Sequence, residues 1–254
     1  MTRDARREVF PDKASTARAA GHALRERLAA AQRRGDDGQI VLTGGSMGVA
    51  LIESLVADNQ EGARSAPDWS RVHVWWGDER FLPTGDPERN DTQAYDAGLF
   101  DLGLTPDLVH PVPGPDGPCG DDVHAAAAAY AAELASASAG RQVPLFDVLM
   151  LGVGPDAHVA SLFPGHEAQR HTDTTTVGVT GSPKPPSCRV SLTFPALRQA
   201  HEVWFLVAGA DKADAVRLAT SSTDPWCAPA AGVSGQDETI WWLDEAAAHG
   251  LGAD

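Results

Sequence analysis

Short apolar runs alternate with helical patterns along nearly the whole chain, and each run breaks off into a polar, glycine-bearing turn. "QIVLTGG", "RVHVWWGDE", "FDVLMLGVG" and "EVWFLVAG" are of this kind. A strand with one wet face alternates apolar and polar residues, but "VLML" does not alternate, as in strands covered on both faces. Parallel strands need long crossovers, and helices supply them. Residues 15–33 put Ala17, Ala20, Leu24 and Leu28 on one helical face. Further helices are expected at "SMGVALIESLVAD", at 91–100, at "DDVHAAAAAYAAELASASAG" and at "ADKADAVRLA". A short strand is expected at "LVHPVP", a short helix at "HVASLF" before Pro164, and two strands around the proline loop, in "TTTVGV" and "SCRVSLTF". "ETIWWLDEAAA" closes the chain as a strand and a short helix. The pattern predicts an α/β fold: a mostly parallel central sheet covered by helices on both faces. No repeat or long linker divides it, so one domain over residues 1–254 is expected.

The chain carries a formal net charge of −15, and such a surface repels nucleic acid and anionic membranes. An anionic substrate would need a local positive pocket built against that field. Each arginine or lysine inside a loop motif is therefore informative. No apolar run reaches the roughly 18 residues that span a bilayer. "MTRDARREVFPDKAS" lacks the apolar core of a signal peptide, which points to a cytoplasmic protein. Cys119, Cys188 and Cys227 are scattered and odd in number, and neither they nor the histidines fall at metal-ligand spacing. No metal, no cofactor and no membrane or nucleic-acid partner is expected, and a monomer is favoured over an oligomer.

In open α/β sheets ligands bind beyond the carboxyl ends of the strands. Here those ends fall after Thr43, Trp76, Val153 and Ala208. The first loop, "LTGGSMGV", allows three readings. Gly44-x-Ser46-x-Gly48 fits a nucleophile elbow. The backbone of Gly44, Gly45 and Ser46 at a helix start fits a phosphate cradle. A tight turn capped by Ser46 needs no ligand at all. "GVGPDA" matches a weak dinucleotide fingerprint, against which stand Pro155, Pro164 and the missing acid after the next strand. The same loop offers Asp156 and His158. An imidazole titrates near pH 6.5, roughly, and can take and return a proton at neutrality; a capping aspartate beside a structural histidine is the plain alternative. Arg80 in "WGDERFLP", Lys184 among prolines and Arg189 just beyond point together to an anion site.

The stretches "LTGGS", "WGDERFLP" with Asn90 downstream, "GVGPDAHVASLFPG", "SPKPPSCRVSLTFPAL" and "VAGADKADAV" resemble the 6-phosphogluconolactonase branch of the glucosamine-6-phosphate isomerase/deaminase family. They stand in that family's order from Leu42 to Val216. The resemblance implies a NagB/RpiA-like, Rossmann-like domain. It implies that His158, oriented by Asp156, activates a water for attack on C1 of 6-phospho-D-glucono-1,5-lactone. It implies that Gly44, Gly45 and Ser46, with Arg80, Lys184 and Arg189, hold the sugar phosphate, without metal, nucleotide or covalent intermediate. Two loops depart from the family: Ala157 stands where Asp-Gly-His has glycine, and Met47 and Gly48 follow Ser46 in place of Thr-Pro. Three other readings remain: an isomerase or deaminase of amino sugar phosphates, a serine esterase using Ser46, and a non-catalytic phosphosugar-binding protein.

Overall fold

The computed structural model describes residues 5–60 and 66–252. The first half contains β1 (Arg6–Phe10), α1 (Lys13–Arg33), β2 (Gly38–Leu42), α2 (Gly45–Gln60), β3 (Val72–Trp76), β4 (Asp78–Arg80), α3 (Asn90–Asp96) and α4 (Val123–Ser136). The second half contains β5 (Phe146–Leu151), β6 (Thr176–Val179), β7 (Arg189–Leu192), α5 (Phe194–Leu197), β8 (Ala200–Val207), α6 (Ala213–Ser221) and β9 (Glu238–Asp244). Six strands form one sheet in the order β1-β9-β8-β5-β2-β3, with every neighbouring pair parallel.

Burial explains the arrangement. Val148, Leu149 and Met150 of β5 are fully buried, as are Val203 and Trp204 beside them on β8. Helix α1 starts at a capping box between Asp12 and Ser15 and buries Ala17, Ala20, Leu24 and Leu28. It packs against α2 and the sheet. Strand β3 ends one edge, where the Tyr130 hydroxyl accepts from Trp76 N at 2.9 Å and donates to Trp76 O at 3.0 Å. That buried hydroxyl stands in for a missing neighbour strand.

Several expectations are corrected. "RREVF", unread as a strand, is β1; it is short and charged, as edge strands are. "LVHPVP" makes only a bridge between Val74 and Val109, since Pro111 and Pro113 have no N–H to extend a ladder. "HVASLF" forms turns and no helix, and the residues after β9 also turn without forming one. The strands around the proline loop do not join the central sheet. They pair antiparallel with each other, and β7 pairs with β4, giving a second sheet in the order β4-β7-β6. Helix α4 packs against this small sheet. No helix is long and apolar enough to cross a membrane among the described residues.

A partly buried relay, with His110 at its centre, lies beside β3. His73 Nδ1 is 3.0 Å from His110 Nε2, and His110 Nδ1 is 2.9 Å from Glu133 Oε1. The Trp75 ring stacks on His110 at 3.7 Å. Burial pulls both imidazoles below their ordinary range. The unfolded chain therefore takes up these protons at higher pH than the folded one. The stability they carry is complete above about pH 6.5 and is lost as pH falls toward the depressed folded values. The thermal midpoint should fall between about pH 7.5 and 5.5, and fall less in His73→Phe. An equal fall in both proteins would exclude the relay as its source.

Candidate active site

From β2 the chain steps to β3 on one side, then returns to β5 on the other. The loops that leave β2 and β5 therefore part at a reversal of strand order, where open α/β sheets form their crevice. Thr43 Oγ1 accepts from Gly152 N at 3.0 Å and ties the two loops at their base.

The loop after β5 builds the imidazole side. Ala157 N donates to Gly154 O at 2.9 Å and Gly154 N to His158 O at 3.0 Å, so the chain doubles back tightly. His158 folds over Gly154, where an added Cβ would lie 2.0 Å from the ring Cε1 and Nδ1. That close approach is why glycine stands there. His158 Nδ1 lies 2.5 Å from Asp156 Oδ1, and its ring centroid lies 4.5 Å from that of Phe163. Burial pushes the Asp156 carboxyl up, but its bond to His158, the charge of His158 and the charge of Lys184 outweigh this and bring it down to about 2. An ionised Asp156 accepts from Nδ1–H, which leaves the lone pair of the neutral ring on Nε2.

Ala157 is fully buried, with φ of +62°, the left-handed region. That conformation costs a non-glycine residue about 1–2 kcal/mol. Glycine would forfeit a buried methyl, about 0.8 kcal/mol, and more chain entropy, about 0.5–1 kcal/mol. The terms offset. Ala157→Gly should shift stability by less than about 1 kcal/mol and turnover by less than about twofold, checked by denaturant melts and initial rates. A larger loss would mean that the alanine sets the loop's path.

Lys184 reaches the same acid, its Nζ 3.7 Å from Asp156 Oδ1. Burial lowers the pKa of this lysine, Asp156 opposes that, and Lys212 nearby adds to it. Arg189 behaves differently from the other cations. It is 6% exposed, and its guanidinium donates to the carbonyl oxygens of Pro185 at 3.0 Å, Pro186 at 3.3 Å and Lys184 at 3.4 Å. It braces the loop that presents Lys184. Its Nη1 also lies 3.9 Å from Asp78 Oδ2, which accepts from Ser161 Oγ at 2.6 Å.

The small sheet brings the remaining cation in. In the β4–β7 register Arg80 stands opposite Arg189, Asp78 opposite Ser191 and Glu79 opposite Val190. Side chains alternate along a strand, so Asp78 and Arg80 share one face with Arg189 while Glu79 points to the other. Arg80 Nη1 donates to Asn90 Oδ1 at 2.7 Å and to Glu88 O at 2.6 Å, and Asn90 Nδ2 donates to Asp78 O at 2.8 Å. A Cβ on Gly44 would lie 1.8 Å from Asn90 Oδ1, so the glycine loop rests directly on this carboxamide. Gly45 has φ of +78° and opens α2, with its N–H 3.4 Å from Gln93 Oε1. Ser46 is exposed in the first turn, and no histidine bonds it among the described residues.

The expected residues thus fall into two touching groups: Asp156, His158 and Lys184 in one, Arg80 with the Gly44–Ser46 turn in the other. Arg189 stands behind both. "GVGPDA" leads into no helix, so a pyrophosphate would meet no helix N-terminus there. Asp78, Glu79 and Ser161 were not picked out as site residues; the two acids adjoining Arg80 in "DER" read as a salt bridge under the loop. Among the described residues no group of three or more His, Cys, Asp or Glu is placed to hold a metal ion.

The profile described as Glucosamine-6-phosphate isomerases/6-phosphogluconolactonase matches residues 11–242. The chain belongs to this family. A 6-phosphogluconolactonase of Streptomyces coelicolor is 54% identical over 246 residues, covering 96% of this chain and 93% of the relative. One of Mycobacterium tuberculosis is 45% identical over 245 residues, covering 96% and 97%. The solved 6-phosphogluconolactonase of Trypanosoma brucei superposes with a TM-score of 0.83 at 27% identity, covering 98% of this chain and 99% of that one.

Proposed function

We propose that this chain hydrolyses 6-phospho-D-glucono-1,5-lactone to 6-phospho-D-gluconate, a step of the oxidative pentose phosphate pathway. The observation that carries the reading is the imidazole of His158, held through Nδ1 by an ionised Asp156, with Lys184 Nζ 3.7 Å from the same carboxylate. Nε2 takes a proton from a water, and the water oxygen attacks C1. The tetrahedral adduct collapses, the C1–ring oxygen bond breaks, and the imidazolium returns its proton to that oxygen. One water is consumed and the ring opens. Gly44, Gly45 and Ser46 offer backbone N–H groups to the phosphate, while Arg80 and Lys184 supply charge. Arg189 adds charge from behind and keeps Lys184 in place. The family and the names of its relatives support the same substrate.

The protein acts as one domain over residues 1–254, as a cytoplasmic monomer. Its exposed large hydrophobics among the described residues are Val9, Phe100 and Leu218, on three different elements. The test generates the lactone in place with glucose-6-phosphate dehydrogenase and follows product with 6-phosphogluconate dehydrogenase. Wild type should outpace spontaneous opening. No acceleration, or ammonia release from glucosamine 6-phosphate instead, would sink the assignment.

A further inference from the structure

We propose that Glu79 is the positioning residue of the anion-binding side of this site: one buried carboxylate locks the strand that carries Arg80 to the helix that carries Asn90. This rests on the reading above that Arg80 and the glycine loop face the phosphate. Glu79 is 1% exposed. Its Oε1 accepts from Arg80 N at 2.8 Å and Asn90 N at 2.7 Å, and its Oε2 accepts from Asp91 N at 2.9 Å. Helix α3 has no side-chain hydrogen bond from its own N-cap, Arg89. Glu79 caps it from β4 instead.

Three backbone donors and a buried ion pair hold this acid in place as a brace. Arg89, 1% exposed, grips Asp91 through Nε and Nη2 at 2.8 and 2.6 Å, and its Nη2 lies 4.0 Å from Glu79 Oε2. The same guanidinium donates to Leu82 O at 2.9 Å and Val112 O at 2.7 Å. Burial, and next the charge of Asp91, push the Glu79 carboxyl up to about 7. A buried carboxylate is expensive to keep, and here its return is geometric. Three backbone donors on two elements converge on its two oxygens, an arrangement that suits a carboxylate acceptor. From there the arrangement continues outward: Asn90 Oδ1 receives Arg80 Nη1, and Gly44 rests on Asn90. Remove the brace, and Arg80, Asn90 and the glycine loop no longer share one reference point.

A carboxamide has the same shape but presents an N–H to one of those donors. Glu79→Gln is therefore the probe, alongside Arg80→Ala and the double variant. With the phosphorylated lactone, Glu79→Gln should raise KM about tenfold, the size of one charged hydrogen bond, with kcat within about twofold. The cost in the double variant should fall well short of the product of the single effects, because Glu79 acts in large part through Arg80. A fall in kcat at constant KM, or effects that multiply fully in the double variant, would overturn the proposal. Calorimetric binding of 6-phosphogluconate separates it from the catalytic reading. A wild type that binds this ligand without hydrolysing the lactone, and binds it about tenfold more weakly as Glu79→Gln, keeps the brace and removes the lactonase. Equal binding by both overturns the brace. If Glu79→Gln does not fold, Asn90→Ala leaves the carboxylate intact and carries the same KM and additivity tests, an unchanged KM again counting against the proposal.

Discussion

His158→Ala should lower kcat for the lactone by about 10²–10⁴-fold, the range supplied by a positioned general base, and leave KM nearly unchanged. In the proposed mechanism the ring contributes no charge to the phosphate side, where Arg80, Lys184 and the start of α2 would do the binding. Its removal takes away only the proton acceptor. Residual turnover remains, because a lactone is already electrophilic and the bound geometry still favours attack. The side chain is 15% exposed, so the fold should tolerate its loss. A stopped assay against the uncatalysed rate, at saturating lactone, gives the ratio. Turnover within about threefold of wild type would move the base elsewhere and undo the proposed mechanism.

Gly154→Ala is expected to cost nearly as much without touching any group that reacts. Its new methyl would begin 2.0 Å from two ring atoms of His158 and 2.7 Å from Asp156 Oδ1. Neither partner can retreat cheaply. Phe163 packs against the ring, and Lys184 Nζ lies 3.7 Å from the same carboxylate oxygen that holds it. The imidazole must swing off Asp156, and Nε2 leaves the line of attack. A misplacement of about 1 Å costs on the order of 10²-fold in rate, so kcat should fall by that factor or more. The double variant Gly154→Ala/His158→Ala should be no slower than His158→Ala. A fully active Gly154→Ala would mean that the loop yields, and that close packing does not set the aim of His158.

How much of this could be seen in the chain beforehand depends on range. The central strands announce themselves through unbroken apolar runs such as "VLML", and α1 through the spacing of Ala17, Ala20, Leu24 and Leu28. Asp156 and His158 were legible because two residues across a tight turn must meet. Pairing across long sequence separation leaves no local trace, so the union of "DER" with a strand more than a hundred residues on could not be read. Three residues are also too few to show a period. "HVASLF" misled for a different reason. Alanine favours helices, but Ala157 and Ala160 sit at φ of +62° and +48°, which stops one from forming. Arg189 looked like an open ligand because a basic residue's partners here are carbonyl oxygens, which carry no sequence signature. The role of Glu79 was not legible because its partners are backbone N–H groups, not the side chain beside it.

The pairing of Arg80 with Arg189 bears on redesign of the scaffold. The two cations are cross-strand partners at one rung of a short ladder. Slipping either strand by one residue would turn its whole set of side chains to the opposite face. If the two cations face the substrate as proposed, their charge belongs to one rung and cannot be shifted on one strand without the other. A variant meant for an uncharged lactone would have to re-solve both strands together, while the imidazole, carried on a loop of the other sheet, could be left as it is.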